Sequence, residues 1–309
     1  MSKSLIDRSE FERPINSLNF PKPLMLSDDV TLLDVVDFLQ ENKIGSCLLH
    51  NNDKLSGIIT ERDFSLRIIG VVEDWKTQPA SLFMTKNPTS VNETAQVIDV
   101  IELMTREEYR HLPVTNDAGS VVAIVSVKDL LSIMVDIFRD DIESVGTLVD
   151  WDYINTVNYS ENFSSLSEIE GQISSSIFFA ELRRVIYKPA ITIDHNATVQ
   201  DTLKLMQERK TGSVLVMEYE TKIVGVVTER DMLLKFLGKH LFSDDLNVKE
   251  IMTPNPHLLL HRHNLAHAVN NMFKFKYRST IVVNEDKYPL SIVGLLEVFK
   301  FISLHLFKQ

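Results

Sequence analysis

Leu32, Leu33, Val35, Val36, Phe38 and Leu39 recur at helical spacing, which predicts an amphipathic helix with Asp28 or Asp29 available to cap its start. Two short apolar runs follow over 46–50 and 55–59, separated by Asn51-Asn52-Asp53-Lys54, whose residue types suit a tight turn; they read as a hairpin. A second helix is expected to begin near 60–63 and run through Phe64, Leu66 and Ile68. The same order returns later: a helix over 199–206, strands over 213–217 and 223–227, and a helix over 231–237. No such unit buries its strands alone, so units must pack in pairs.

The recurrence is written in the residues themselves. Gly57-Ile58-Ile59-Thr60-Glu61-Arg62-Asp63 reappears 168 residues later as Gly225-Val226-Val227-Thr228-Glu229-Arg230-Asp231. Met84-Thr85-Lys86-Asn87-Pro88 likewise matches Met252-Thr253-Pro254-Asn255-Pro256. Pro23 with Pro189, Asp34 with Asp201, and Gly45 with Gly212 follow nearly the same offset, so the chain is a duplicated half, 20–140 and 186–309. Each half is double, since Ser126-Val127-Lys128-Asp129 echoes the tetrad after an apolar run. For the fourth unit the aligned segment is Gly294-Leu295-Leu296-Glu297-Val298-Phe299-Lys300, with Glu297 at the hydroxyl position and Lys300 at the aspartate position. The stretch 140–188 matches no repeat; its Asn- and Ser-rich middle, 155–165, reads as a linker, flanked by helical ends over 133–145 and 177–185.

A helix start presents free backbone N–H groups and partial positive charge, which suit a phosphate. Thr60 can offer a hydroxyl, Arg62 a cationic fork, and Asp63 a carboxylate for the two hydroxyls of a ribose. For any single Thr or Asp, plain helix capping is the simpler role. Recurrence of the arginine favours a ligand.

These segments, with Ile44-Gly45-Ser46 and Arg110-His111-Leu112-Pro113-Val114, resemble the signature of CBS domains over about four-fifths of the chain. The resemblance implies an α+β fold of four β-α-β-β-α units, paired into two Bateman modules whose clefts hold adenosine-containing ligands. It implies an N-terminal extension over 1–19, a first module over 20–140, a linker over 141–185 and a second module over 186–309. Carried over position by position, adenine lies near Ile44, Gly45 and Ser46 or near Thr211, Gly212 and Ser213. Ribose and phosphate fall to Asp63 with Thr60 and Arg62, to Asp231 with Thr228 and Arg230, and to Asp129 with Ser126 and Lys128. Arg110 and His111 reach toward phosphate. The first and third sites match best; Ala123 replaces the motif glycine in the second, and Glu297 repels phosphate in the fourth.

Composition narrows the partners. A net charge of −11 disfavours nucleic acid and anionic membrane surfaces. Neither a transmembrane-length apolar run nor a secretory leader is visible, so a cytoplasmic protein is expected. The lone Cys47, in an apolar run, reads as a structural thiol. No Walker loop, dinucleotide-binding glycine fingerprint or nucleophile motif is present, and no cofactor is expected. His257, His261, His263 and His267 are read as a surface cluster rather than a metal site, and Glu102, Arg106, Glu107 and Glu108 as a solvated helix face.

The resulting expectation is a non-enzymatic sensor that takes AMP, ADP or ATP, with S-adenosylmethionine or a cyclic dinucleotide as other adenosine-bearing ligands. Occupancy would alter module arrangement or contacts with a regulated protein, and exposed helices favour a homodimer. The alternative is a ligand-free scaffold for oligomerisation.

Overall fold

Thr31, rather than Asp28 or Asp29, caps the first helix: its hydroxyl accepts from the Asp34 N–H and Asp34 answers at the Thr31 N–H, a reciprocal box that starts α1, Leu32–Glu41. In this computed structural model, residues 5–20, 22–52, 54–137, 172–185, 188–237 and 245–306 are described. Strands β1, Leu5–Asp7, and β2, Met25–Ser27, precede α1; β3, Ser46–Asn51, and β4, Lys54–Thr60, follow as the expected hairpin. Asn51 pairs with Lys54, and Asn52 takes the left-handed conformation, φ 48°, that Asn tolerates in such a turn. The chain then enters α2, Glu61–Asp63, and continues through a π-helical turn, Phe64–Ile68. β2 runs parallel to β3, which completes β-α-β-β-α.

A short strand β5, Thr85–Lys86, adds to the edge of β4. The second unit comprises β6 (Val91–Asn92), α3 (Val97–Glu107), β7 (His111–Thr115), β8 (Val121–Ser126) and α4 (Val127–Ile137). β9, Gln172–Ser174, then leads into the third unit: β10 (Thr192–Asp194), α5 (Val199–Arg209), β11 (Ser213–Glu218), β12 (Lys222–Thr228), α6 (Glu229–Asp231) with a π-helical turn Met232–Leu237, and β13 (Thr253–Pro254). The fourth comprises β14 (Leu258–Leu260), α7 (Leu265–Lys274), β15 (Ser279–Val283), β16 (Pro289–Gly294) and α8 (Leu295–Leu306). Among the described residues, units one and three carry four-stranded sheets and units two and four three-stranded ones.

The two motifs flanking β5 and β13 explain each other. A Cβ on Gly57 would lie 2.1 Å from Met84 Sδ, and one on Gly225 2.3 Å from Met252 Sδ, so each motif glycine clears space for the crossing methionine. Asn87 and Asn255 turn the chain at φ 45° and 46° before their prolines. In the second unit Ala123 stands at the position of those glycines, buried on the middle of its apolar strand, and no fourth strand is seen among the described residues.

The apolar helix faces meet within one chain. Leu32, Val35, Leu39, Phe64 and Ile68 of unit one share a core with Val199, Leu203, Met206, Met232 and Phe236 of unit three. Val97, Ile101, Met104 and Leu130 of unit two share another with Leu265, Val269, Phe299 and Ile302 of unit four. Sheets pack the other way: Leu48 and Ile58 against Val121, and Leu215 and Met217 against Ile281 and Val283. Each unit therefore has two apolar neighbours, in the cyclic order one, two, four, three.

The duplication reaches further than the motifs indicate. Ile15 N–H donates to Ala95 and Val97 N–H to the Arg13 carbonyl; Leu182 to His263 and Leu265 to Ala180 repeat this in the second half. Thus 175–184, placed in the linker by its sequence, is the counterpart of 8–17, and β1 pairs antiparallel with β9. The helical end expected over 177–185 consists of 3-10 turns, Ser175–Phe179 and Leu182–Arg184, rather than one helix, though Phe178 and Leu182 are fully buried. Of the helix expected over 133–145, the part to Ile137 is the end of α4; 138–145 lies outside the described residues, as does the Asn/Ser-rich stretch 155–165.

The clash across Gly57 generates a test: Gly57→Ala should cost about 1–3 kcal/mol in denaturant unfolding, and Met84→Ala in the same chain should recover part of it, giving a non-additive double-mutant cycle. Additive losses would show that the methionine is not what excludes the Cβ.

Candidate functional site

Strand register brings the two adenine-proposed triplets beside their own tetrads: Ser46 lies opposite Thr60 and Ser213 opposite Thr228. The same pairing sets His111 opposite Ser126 and Ser279 opposite Gly294. At each hairpin mouth one backbone bond repeats: Glu61 to Gly45 O, 3.0 Å; Val127 to Arg110 O, 3.0 Å; Glu229 to Gly212 O, 3.0 Å; Leu295 to Arg278 O, 2.9 Å. This corrects the alignment of the fourth unit by three residues. Gly294 occupies the Thr60 position and Glu297 the Asp63 position, where its Oε2 accepts the Gly294 N–H at 3.1 Å, as a motif aspartate would. Lys300 instead binds Glu108 of unit two at 2.5 Å; Glu108, read as part of a solvated face, is held below the usual carboxylate range by that lysine.

The tetrads are capping boxes first. Asp63 Oδ2 accepts from Thr60 N at 2.7 Å and Oγ1 at 2.8 Å; Asp231 Oδ2 accepts from Thr228 N at 2.9 Å and Oγ1 at 2.6 Å; Asp129 Oδ2 accepts from Ser126 N at 2.9 Å and Oγ at 2.6 Å. Ile44 is partly buried against the core shared by units one and three, and Thr211 Oγ1 donates to Ser213 O at 3.0 Å. Lys128 is exposed.

The residue that sequence reasoning passed over is the second of the tetrad. Glu61 and Glu229 are 4% and 6% exposed. Glu61 is held by Arg278 of unit four at 2.5 Å and by Arg230 of unit three at 3.2 Å. Glu229 is held by Arg110 of unit two at 2.7 Å, with Arg62 of unit one 3.5 Å from its other oxygen. Arg62 and Arg230 also donate to the carbonyls of Lys210 and Lys43, at 3.3 and 3.1 Å. Each glutamate joins three units, and Arg110–Glu229 and Arg278–Glu61 link the diagonal pairs that share no apolar core. The glycines of the triplets are what admit these carboxylates: a Cβ would come within 2.9 Å of Glu61 at Gly45 and 2.8 Å of Glu229 at Gly212. The signal was present in the sequence, since Glu61 and Glu229 repeat as faithfully as their neighbours.

Burial raises the Glu61 pKa, opposed by Arg278 and Arg230. Burial, then the charges of Arg278 and Arg110, hold the half-buried His111 at about 4, so its imidazole is neutral at pH 7. The site therefore sets four guanidinium groups against two buried carboxylates.

The other sequence signals separate from it. His263 and His267 are not on the surface: they are 6% and 1% exposed, with ring centroids 5.4 Å apart, and burial lowers both to about 4. His257 instead stacks edge-on with Phe275 and Tyr277. Cys47 is fully buried and its thiol is pushed up to about 12 by desolvation. Among the described residues no helix is long and apolar enough to cross a membrane.

The CBS domain family matches residues 16–70, 80–136 and 182–238. The chain belongs to the CBS-domain family. Its fourth CBS unit, outside those matches, repeats the strand order of the second. The chain is similar to the CBS domain-containing protein CBSCBSPB5 of Arabidopsis thaliana, 24% identical over 314 residues, covering 96% of this chain and 54% of that protein. It is also similar to the meiotically up-regulated gene 70 protein of Schizosaccharomyces pombe, 24% identical over 84% of this chain and 39% of that one. The chain thus spans about half the length of the first of these relatives, and less of the second. In fold it resembles protein MJ1225 from Methanocaldococcus jannaschii, with a TM-score of 0.68 at 16% identity over 96% of this chain and 99% of that chain.

The buried histidines carry a pH signature. Their folded pKa lies below the unfolded value, so the unfolded state binds more protons between about pH 6.5 and 4, and stability present above that window falls as pH drops through it. The denaturation midpoint should decline from pH 7 to 4.5 by the equivalent of a few kcal/mol, and the decline should flatten in a His263→Gln, His267→Gln double variant. An unchanged slope would place the acid-sensitive groups elsewhere.

Proposed function

We propose that this CBS protein is a regulatory sensor that takes AMP, ADP or ATP in its clefts and transmits occupancy through the central arginines. The observation that carries the reading is the pair of buried glutamates, each bridged by arginines from other units. A ligand phosphate offers those guanidinium groups a stronger, bidentate partner. When an arginine leaves Glu61 or Glu229 for phosphate, a link between units is exchanged for a link to ligand, and the relative placement of the units changes with it. Only a ligand that binds the two arrangements unequally can drive that change. The arginines favour phosphate-bearing ligands over S-adenosylmethionine, whose sulfonium they repel; a cyclic dinucleotide satisfies the same charge requirement.

The role is regulatory rather than catalytic, in the cytoplasm, with the regulated protein bound outside the clefts. Because the large apolar helix faces are already paired within one chain, a homodimer would be built from other surfaces. The scaffold reading draws its support from the same packing, which joins the four units through their own apolar cores and ion pairs.

Thermal unfolding against adenine nucleotides, adenosine, S-adenosylmethionine and cyclic dinucleotides separates the readings. At a hundredfold excess over Kd a phosphate-bearing ligand should add about 2.7 kcal/mol, while adenosine adds less. Arg110→Gln and Arg278→Gln should each remove much of the nucleotide increment. No shift with any of these compounds would leave the scaffold.

A further inference from the structure

The carboxylates that carry the ribose-binding expectation are not equivalent. Beyond its cap, Asp63 spends Oδ1 on Arg67, four residues along the same helix, at 2.5 Å. Asp231 spends Oδ1 on Lys235, at the same spacing, at 2.6 Å, and on Thr253 Oγ1 at 3.3 Å. Both oxygens of each are engaged, and the side chains are only 15% and 10% exposed. Asp129 differs. Its Oδ2 makes the same cap with Ser126, but Oδ1 receives no hydrogen bond from any described residue. The position four residues on is Ile133, packed against the core of units two and four.

The difference follows from the fold. Units one and three each send a crossing segment over their sheet edge, and its carbonyls need donors. Arg67 supplies one to Phe83 O at 2.7 Å, and Lys235 one to Ile251 O at 2.8 Å. The cation that ties down the segment lands on the motif aspartate as well. Unit two places the apolar Ile133 where units one and three place those cations, so no cation among the described residues reaches Asp129 Oδ1. The fourth unit offers a glutamate beside Gly294, with no hydroxyl.

Resting on the nucleotide reading above, we propose that the Ser126–Asp129 cleft is the one that holds ribose, and that Arg67 and Lys235 are latches that keep Asp63 and Asp231 from doing so. This reverses the order suggested by motif match, in which the first and third sites lead. A ribose places two vicinal hydroxyls against one carboxylate, which requires a free oxygen. Asp129 has one, and the other two obtain it only by releasing a cation that also holds the crossing segment.

The test is calorimetric titration of the full chain with AMP and with 2′-deoxy-AMP. Wild type should bind one AMP tightly per chain and discriminate against the deoxy ligand. Asp129→Asn, which retains an oxygen for the Ser126 cap, should weaken AMP by about tenfold or more and lose the discrimination. Asp63→Asn and Asp231→Asn should stay within about twofold of wild type, the ordinary scatter for a group that makes no ligand contact. Arg67→Met with Lys235→Met should raise the number of bound AMP molecules. The discrimination reads ribose contact directly, so a partly destabilised variant still reports. Wild-type affinity and discrimination in Asp129→Asn, or unchanged stoichiometry in the latch variant, overturns this inference alone. Failure of wild type to bind AMP, ADP or ATP removes the nucleotide reading and this inference together.

Discussion

A carboxylate buried at the meeting point of four units must be met by cations, and this protein buries two. Glu61 and Glu229 find them on units other than their own. Desolvation of each charge costs several kcal/mol and is offset only by close, well-oriented partners, so the units are held to one mutual arrangement. The composition of all four hairpin mouths follows. Units one and three place a glycine before the strand and a glutamate after it; units two and four place an arginine before and an apolar residue, Val127 or Leu295, after. The alternation is reciprocal: the glycine makes room for the glutamate, and the arginine of the diagonal unit fills the charge.

A second layer of contacts joins the halves away from the centre. The helices after β4 and β12 pass into π-helical turns, which break the regular ladder of carbonyl acceptors. Gln207 donates to Ser65 O at 3.1 Å and Ile69 O at 2.9 Å, and Gln40 to Leu233 O at 2.9 Å. These amides sit 167 residues apart on equivalent helices and exchange across the interface of units one and three. The duplicated chain thereby builds internally what two identical subunits would build by symmetry.

The capping boxes use one carboxylate oxygen of each motif aspartate and leave its partners at the other oxygen to the surroundings. Thr60, Ser126 and Thr228 each donate a hydroxyl to the aspartate three residues on, so those aspartates start helices in every unit where they occur. What distinguishes the units is the remaining carboxylate oxygen, which meets Arg67 or Lys235 in units one and three, while unit two carries Ile133 at that spacing. The motif is thus the same in three units, and its neighbours set whether the second oxygen is engaged.

The amino-acid sequence by itself determined the repeat, the unit type, both hairpins and their turn chemistry, because these rest on local spacing and on residues close along the chain. The hydroxyl and carboxylate of each tetrad, three residues apart, were legible for the same reason. The register of the fourth unit was not: Gly294 and Glu297 resemble no tetrad, and only the pairing of Ser279 with Gly294 places them. Nor could sequence distance show that Glu61 would meet Arg278, 217 residues away, or that Gly57 exists for Met84. The buried state of His263 and His267 and the free oxygen of Asp129 belong to the same class. Each depends on which surfaces the four units turn toward one another, and that is settled by apolar faces and desolvated charges summed over the whole chain, not by any window of it.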